Sequence, residues 1–192
     1  MDDCVRETVY FARPGPGNTG RALLLARERA LALGIRTVIV PSTSGEAALE
    51  AARVFQGEGP RLVVVSHSAG FKGPDTQELL PEHRRALADA GVPVVTTTHA
   101  FGGIGRAVRR RFNTYQVDEI IAHTLKVICD GAKVACEVTI MAADAGLVRT
   151  DEDAIALGGT SHGLDTALVL KPAHAQDFFA LRIREIICKP RL

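Results

Sequence analysis

Three hydroxyl residues, Ser42, Thr43 and Ser44, stand directly before Gly45 in TVIVPSTSGEAA, residues 37–48. In a turn that opens a helix, hydroxyls, backbone N–H groups and the positive end of the helix dipole suit an anion, and best of all a phosphate. The same residues also read as an ordinary N-cap, with Ser44 capping the helix. At this turn neither Gly-x-x-x-x-Gly-Lys nor Gly-x-Gly-x-x-Gly is present to decide between them. A second stretch, Gly159-Thr160-Ser161-His162-Gly163, either brings backbone close to a ligand or forms a flexible hairpin tip. His67 and His99 each follow an apolar run. As a pair they would be acid/base or ligand-orienting groups; singly, each is a polar strand-end residue bonded to a loop carbonyl. The run from Arg106 to Arg111 attracts an anion or forms a solvated helix face. Glu137, inside the apolar KVACEVTIMAA, is salt-bridged, partly exposed or protonated, and pairing is the expectation. No residue stands out as a catalyst: Ser66 and His67 are adjacent, but no Gly-x-Ser-x-Gly elbow surrounds Ser66.

The elements that must position these groups follow from periodicity. Thr37–Val40 is unbroken β-branched sequence, typical of a strand covered on both faces, and Glu46–Phe55 has helical spacing. Before them come a short strand over Thr8–Arg13 and a helix from Thr19 to Gly34. Thr19 or Asn18 is its N-cap, and Leu23, Leu24, Ala26, Ala30 and Leu31 form its buried side. Only residues 34–36 separate that helix from the next strand, so it runs antiparallel and brings Thr19 to the hydroxyl turn. Arg61–His67 and Val92–His99 read as further strands, with a helix near Pro81–Ala90 between them. The βαβαβ pattern predicts a parallel, doubly wound sheet, whose ligands sit beyond the C-terminal strand ends. Ser42–Gly45, Ser66–Phe71 with Ser68 and Gly70, and Thr97–Gly103 with His99 share that edge.

Further along, Val117–Cys129 reads as a helix and Lys133–Ala143 as a buried strand, which makes Met141–Gly146 a wall of the site. Thr150–Asp153 reads as a short helical turn. Ala154–Gly158 and Asp165–Pro172 read as a hairpin around the glycine loop, and Leu181–Pro190 as an edge strand. No repeat or linker divides the chain, so one domain over residues 1–192 is expected.

The 192 residues carry a formal charge of +1 and are 46% hydrophobic, ordinary values that leave no field for nucleic acid or an anionic membrane surface. With no Trp there are few stacking platforms. No signal-peptide pattern or bilayer-length apolar run is visible, so a cytoplasmic protein is expected. Cys4, Cys129, Cys136 and Cys188 form no Cys-x-x-Cys and are expected as buried thiols; the six His form no His-Glu-x-x-His, and no metal site is expected.

The strand-Ser-Thr-Ser-Gly-helix order, two further strand-helix units, and GGTSHGLDT before a last apolar strand together resemble the C-terminal domain of pyruvate kinase, from Thr19 to Pro172. The resemblance implies that Ser42, Thr43, Ser44 and Gly45 form one phosphate-holding jaw, and Gly159, Thr160, Gly163, Asp165 and Thr166 the other. Glu46 and Ala47 depart from that pattern, and an acid at 46 favours a ligand with one phosphate over a bisphosphate. Over nearly all its length the chain is similar to stand-alone proteins of this type. The matching stretches are Tyr10-Phe11, Pro14-Gly15, Asn18-Thr19, residues 137–146, Lys171–His174 and Glu185–Cys188. That group is associated with bound flavin mononucleotide (FMN).

The resemblance implies a three-layer α/β/α fold, with a mostly parallel sheet and an antiparallel final strand. It implies FMN held by its phosphate at the hydroxyl turn, with its ring against Gly70, Phe71 and Met141. Flavin-dependent oxidoreduction is the activity this would support, and a non-catalytic module sensing a sugar phosphate or nucleotide is the alternative. Phosphoryl transfer in pyruvate kinase belongs to a barrel for which this chain has no room. The expected partner is a small phosphate-bearing molecule, with homo-oligomerisation to cover exposed strand edges.

Overall fold

The structure, a computed structural model, describes residues 3–57 and 59–191. Its seven strands are β1 (Val9–Phe11), β2 (Thr37–Pro41), β3 (Arg61–Ser66), β4 (Val94–Thr96), β5 (Ala154–Gly158), β6 (Thr166–Lys171) and β7 (Arg182–Pro190). They form one sheet in the order β1-β7-β6-β5-β2-β3-β4. The pairings β1 with β7, β2 with β3 and β5, and β3 with β4 are parallel, while β6 is antiparallel to both β5 and β7. The final strand thus pairs antiparallel, as expected, and β6 is the one strand running against the other six. β7 is not at an edge, because β1 covers it.

Side chains of period two divide between the faces. Val38, Val40, Val64, Ile155 and Leu157 point to one core, together with α1 (Thr19–Leu33), α2 (Glu46–Val54) and α3 (Pro81–Asp89). Ile39, Val63, Val65, Ala154 and Ala156 point to the other, with α5 (Val117–Lys126) and α6 (Asp130–Asp144). The three-layer α/β/α reading of the sequence therefore holds. A further helix, α4 (Gly103–Phe112), follows β4 and buries none of its residues.

Several boundaries differ from the sequence reading. The first and fourth strands are only three residues long, and Thr150–Asp153 is a run of bends without a helical turn. On α1 the buried stripe is Ala22, Leu23, Ala26 and Ala30, whereas Leu24 and Leu31 are 54% and 51% exposed. The largest difference is Lys133–Ala143, a helix where a strand was expected. Its Val, Thr and Ile content is strand-like. Yet α6 lies between the sheet and the α5 side, buried nearly all round, and a helix enclosed that way shows no amphipathic period.

Cys129, Cys136 and Cys188 are buried, but Cys4 is exposed, contrary to expectation. Burial pushes the Cys136 and Cys188 thiols up to about 12. A colorimetric thiol titration at pH 8 is therefore expected to find one reactive cysteine in the folded chain and four after denaturation.

Candidate functional site

A cavity of about 390 Å³ opens at the C-terminal ends of the parallel strands, within the usual range for small-molecule sites. The strand order arranges its walls. Gly159, Ser161, His162 and Gly163 follow β5; Ser42, Thr43 and Ser44 follow β2; Ser66, His67 and Phe71 come from the end of β3 and beyond; His99 follows β4. Thr19 of α1 and Glu46, Ala47 and Glu50 of α2 close one side, and Lys133, Glu137 and Met141 of α6 the other.

Of the residues expected from sequence, Thr19, Ser42, Thr43, Ser44, Glu46, Phe71, His99, Met141, Gly159 and Gly163 line this cavity; Asn18, Gly45, Ser68, Gly70, Thr160, Asp165 and Thr166 do not. Most of the second group have structural work. Asn18 Nδ2 donates to the carbonyls of Arg13 and Gly15. Asp165 is wholly buried; it accepts the N–H groups of Gly15 (2.9 Å) and Thr160 (3.2 Å) on Oδ2 and the Thr166 hydroxyl on Oδ1. Gly45 has φ 105°, and a Cβ there would stand 2.5 Å from that of His83. Thr19 is not a cap: its hydroxyl donates to the Pro16 carbonyl and accepts the Leu164 N–H at 3.0 Å, tying α1 to the glycine loop.

The hydroxyl turn divides its labour. Ser42 Oγ accepts the N–H groups of Gly45 (3.2 Å) and Ala48 (3.3 Å), and Ser44 Oγ accepts that of Glu46 at a long 3.5 Å. Ser42 rather than Ser44 is thus the main cap, and much of the amide cradle expected from sequence is used by the chain itself. The Thr43 and Ser44 hydroxyls and the Ala47 N–H are among the donors left to an outside group.

At the β3 and β4 ends the lining is aromatic. Phe71 stacks on His99 with ring centroids 4.6 Å apart and an interplanar angle of 22°, and His67 lies 4.2 Å from Phe71 and 5.1 Å from His99. The Arg106 guanidinium covers Phe71 at 4.8 Å. Each imidazole has a carboxylate at Nδ1, Glu78 at 2.7 Å from His67 and Glu137 at 3.7 Å from His99. The expected closeness of the two histidines is observed, and their partners are glutamates rather than loop carbonyls. His99 Nε2 is buried with no partner among the described residues.

Glu137 is the centre of this network. It accepts the Phe101 N–H at 3.0 Å and pairs with Lys133 one helical turn away. Burial alone would raise its carboxyl pKa, but His99 and Lys133 overcome this and hold it down at about 2. Pairing, the sequence expectation, is what is observed. Lys133 was missed as a lining residue because its segment was read as a strand. Lys133, Glu137 and Met141 are spaced by four, the spacing of one helix face, and that was the available clue. Among the described residues no group of three or more His, Cys, Asp or Glu side chains is placed to hold a metal ion. No helix among them is long and apolar enough to cross a membrane.

No known family matches the sequence. Among solved structures, the chain is similar to pyruvate kinase of Cryptosporidium parvum in complex with ADP, at 16% identity and a TM-score of 0.43 over 84% of this chain and 25% of that one. It is similar too to another structure of the Cryptosporidium parvum enzyme, at 14% identity and a TM-score of 0.41, over 84% of this chain and 23% of that one. The chain thus spans about a quarter of the length of these kinases. The fold class rests on the strand order itself, and by that order this chain is an α/β protein.

Proposed function

We propose that the cavity binds a flat heteroaromatic ligand bearing a single phosphate, with FMN as its representative, and that the chain is not a pyruvate kinase. The observation that carries this reading is the polarity of this cavity. Hydroxyls from two facing loops stand at the β5 and β2 ends, and a stacked Phe71–His99 shelf stands at the β3 and β4 ends. The residues fit such a group: Thr43 and Ser44 hydroxyls and the Ala47 N–H take phosphate oxygens, and the shelf and Met141 take the ring. The unpartnered His99 Nε2 takes a polar atom at the ring edge, oriented by Glu137 at its other nitrogen. Glu46 and Glu50 line the phosphate end, and their charge favours a single phosphate over two. Bound flavin would supply the electron-transfer chemistry, leaving this chain to bind, orient and exclude water. Ser66 Oγ contacts Thr96 Oγ1 at 2.7 Å rather than either imidazole, so Ser66 has no base to make it a nucleophile.

Purified protein incubated with FMN and then freed of excess ligand is expected to retain visible flavin absorption. A Thr43→Ala/Ser44→Ala variant should bind about tenfold more weakly or worse, from the loss of charge-assisted hydrogen bonds, and riboflavin should resemble FMN in that variant. A colourless protein, or equal affinity for riboflavin and FMN in the wild type, would overturn the assignment. Protein that binds FMN but turns over no electron acceptor when reduced would be a carrier or sensor.

A further inference from the structure

A second concavity of about 290 Å³ lies between α4, α5 and α6 and shares Arg106 and Lys133 with the main cavity. Its charge is one-sided. Arg109, Lys126 and Lys133 each have a carboxylate of their own: Glu119 Oε1 at 2.6 Å, Asp130 Oδ1 at 2.9 Å, and Glu137. Arg106, whose guanidinium lies over Phe71, and Arg110 form no ion pair among the described residues, so two positive charges in the lining have no carboxylate partner. A dianion is the complementary guest.

One lining residue narrows the class. Glu119 is 7% exposed, and its Oε2 is buried with no hydrogen-bond partner among the described residues. An ionised carboxylate only accepts, so the group it lacks is a donor. An oxyanion that is negative and still carries a proton satisfies Arg106, Arg110 and Glu119 together. Inorganic phosphate keeps at least one P–OH at neutral pH; sulfate keeps none, and a phosphate monoester, with a second pKa near 6, has largely lost its own.

We propose that this bowl is a phosphate site, in which Arg106 and Arg110 hold the charge and Glu119 Oε2 accepts the P–OH. It is separate from the hydroxyl turn, and it stands whether or not the main cavity takes a flavin.

The test is calorimetric titration of the full chain, without flavin, at pH 7.5 and constant ionic strength, using inorganic phosphate, sulfate and methyl phosphate. Phosphate is expected to bind with a Kd below about 1 mM and roughly tenfold or more tighter than sulfate, with methyl phosphate also weaker. Glu119→Gln should abolish the preference for phosphate over sulfate. Arg106→Ala/Arg110→Ala should weaken phosphate binding about tenfold or more, whereas Arg53→Ala/Arg85→Ala, the same charge change elsewhere, should not. Equal affinity for phosphate and sulfate in the wild type overturns the proposal, as does equal loss in both arginine pairs. Loss confined to Thr43→Ala/Ser44→Ala would place the phosphate at the hydroxyl turn and also overturn it. If Glu119→Gln does not fold, the wild-type anion order and an Arg110→Ala variant at an exposed position decide the matter. Tighter binding of duplex DNA than of phosphate would assign the bowl to nucleic acid instead.

Discussion

Replacing Glu137 with alanine is expected to lower the free energy of unfolding by about 3–5 kcal/mol in urea denaturation, the cost of breaking a buried ion pair from one side. The carboxylate is 4% exposed and Lys133 12%. Its loss strands the ammonium in a nearly dry wall and leaves the Phe101 N–H without its acceptor. Glu137→Gln keeps an acceptor for that N–H and should cost less. The pair also sets an acid limit. With a carboxyl pKa lowered from the ordinary 4.5 to about 2, its stabilisation is fully present above pH 4.5 and is lost as pH falls through about 2. That span corresponds to about 3 kcal/mol. Stability measured across it should fall less steeply in Glu137→Gln than in the wild type; identical slopes would show that the carboxylate is not held down.

The second large effect is expected at Gly158→Ala. A Cβ at this position would lie 2.0 Å from the carbonyl oxygen of Gly131 and 2.8 Å from its carbonyl carbon, backbone against backbone with no side chain to move aside. The N-terminal end of α6 rests directly on the end of β5 there, and separating them disturbs Thr166 and Asp165 as well. A loss of more than about 4 kcal/mol is expected, enough to prevent a folded product from accumulating. Gly17→Ala, with open space around it and an ordinary φ, should change stability by less than about 1 kcal/mol. Comparable expression and melting of the two variants would refute this account of the contact.

These two positions show what the sequence disclosed and what it did not. The layer order was legible because the β2, β3 and β5 stretches are apolar runs bounded by helices of clear period, and the turns between them gather on one edge. The hydroxyl turn, the two histidines and the glycine loop were found in this way, and all three reach the cavity. Of the α6 wall only Met141 was, since a helix buried nearly all round offers no apolar stripe to read, and Lys133 went unread. The glycine-rich loop was found for an incomplete reason. Gly163, with φ 70°, leaves no room for a Cβ against Pro16 and Thr19, and Gly159 leaves none against Gly163, so self-packing accounts for these glycines before any ligand does. Short-range sequence cannot show the Gly163 contact, because it joins segments far apart in the chain.

The place of β5 beside β2 bears on how the molecule forms. Ile39 pairs with Ala156, so the middle of the sheet closes only when residues more than a hundred positions apart have met. Loop-closure entropy makes such long-range parallel pairing slow. The β2–β3–β4 portion can condense from local crossovers, whereas the cavity needs β5 in position before both of its facing loops exist. Refolding kinetics followed by a cavity-bound dye should therefore lag behind those followed by secondary structure.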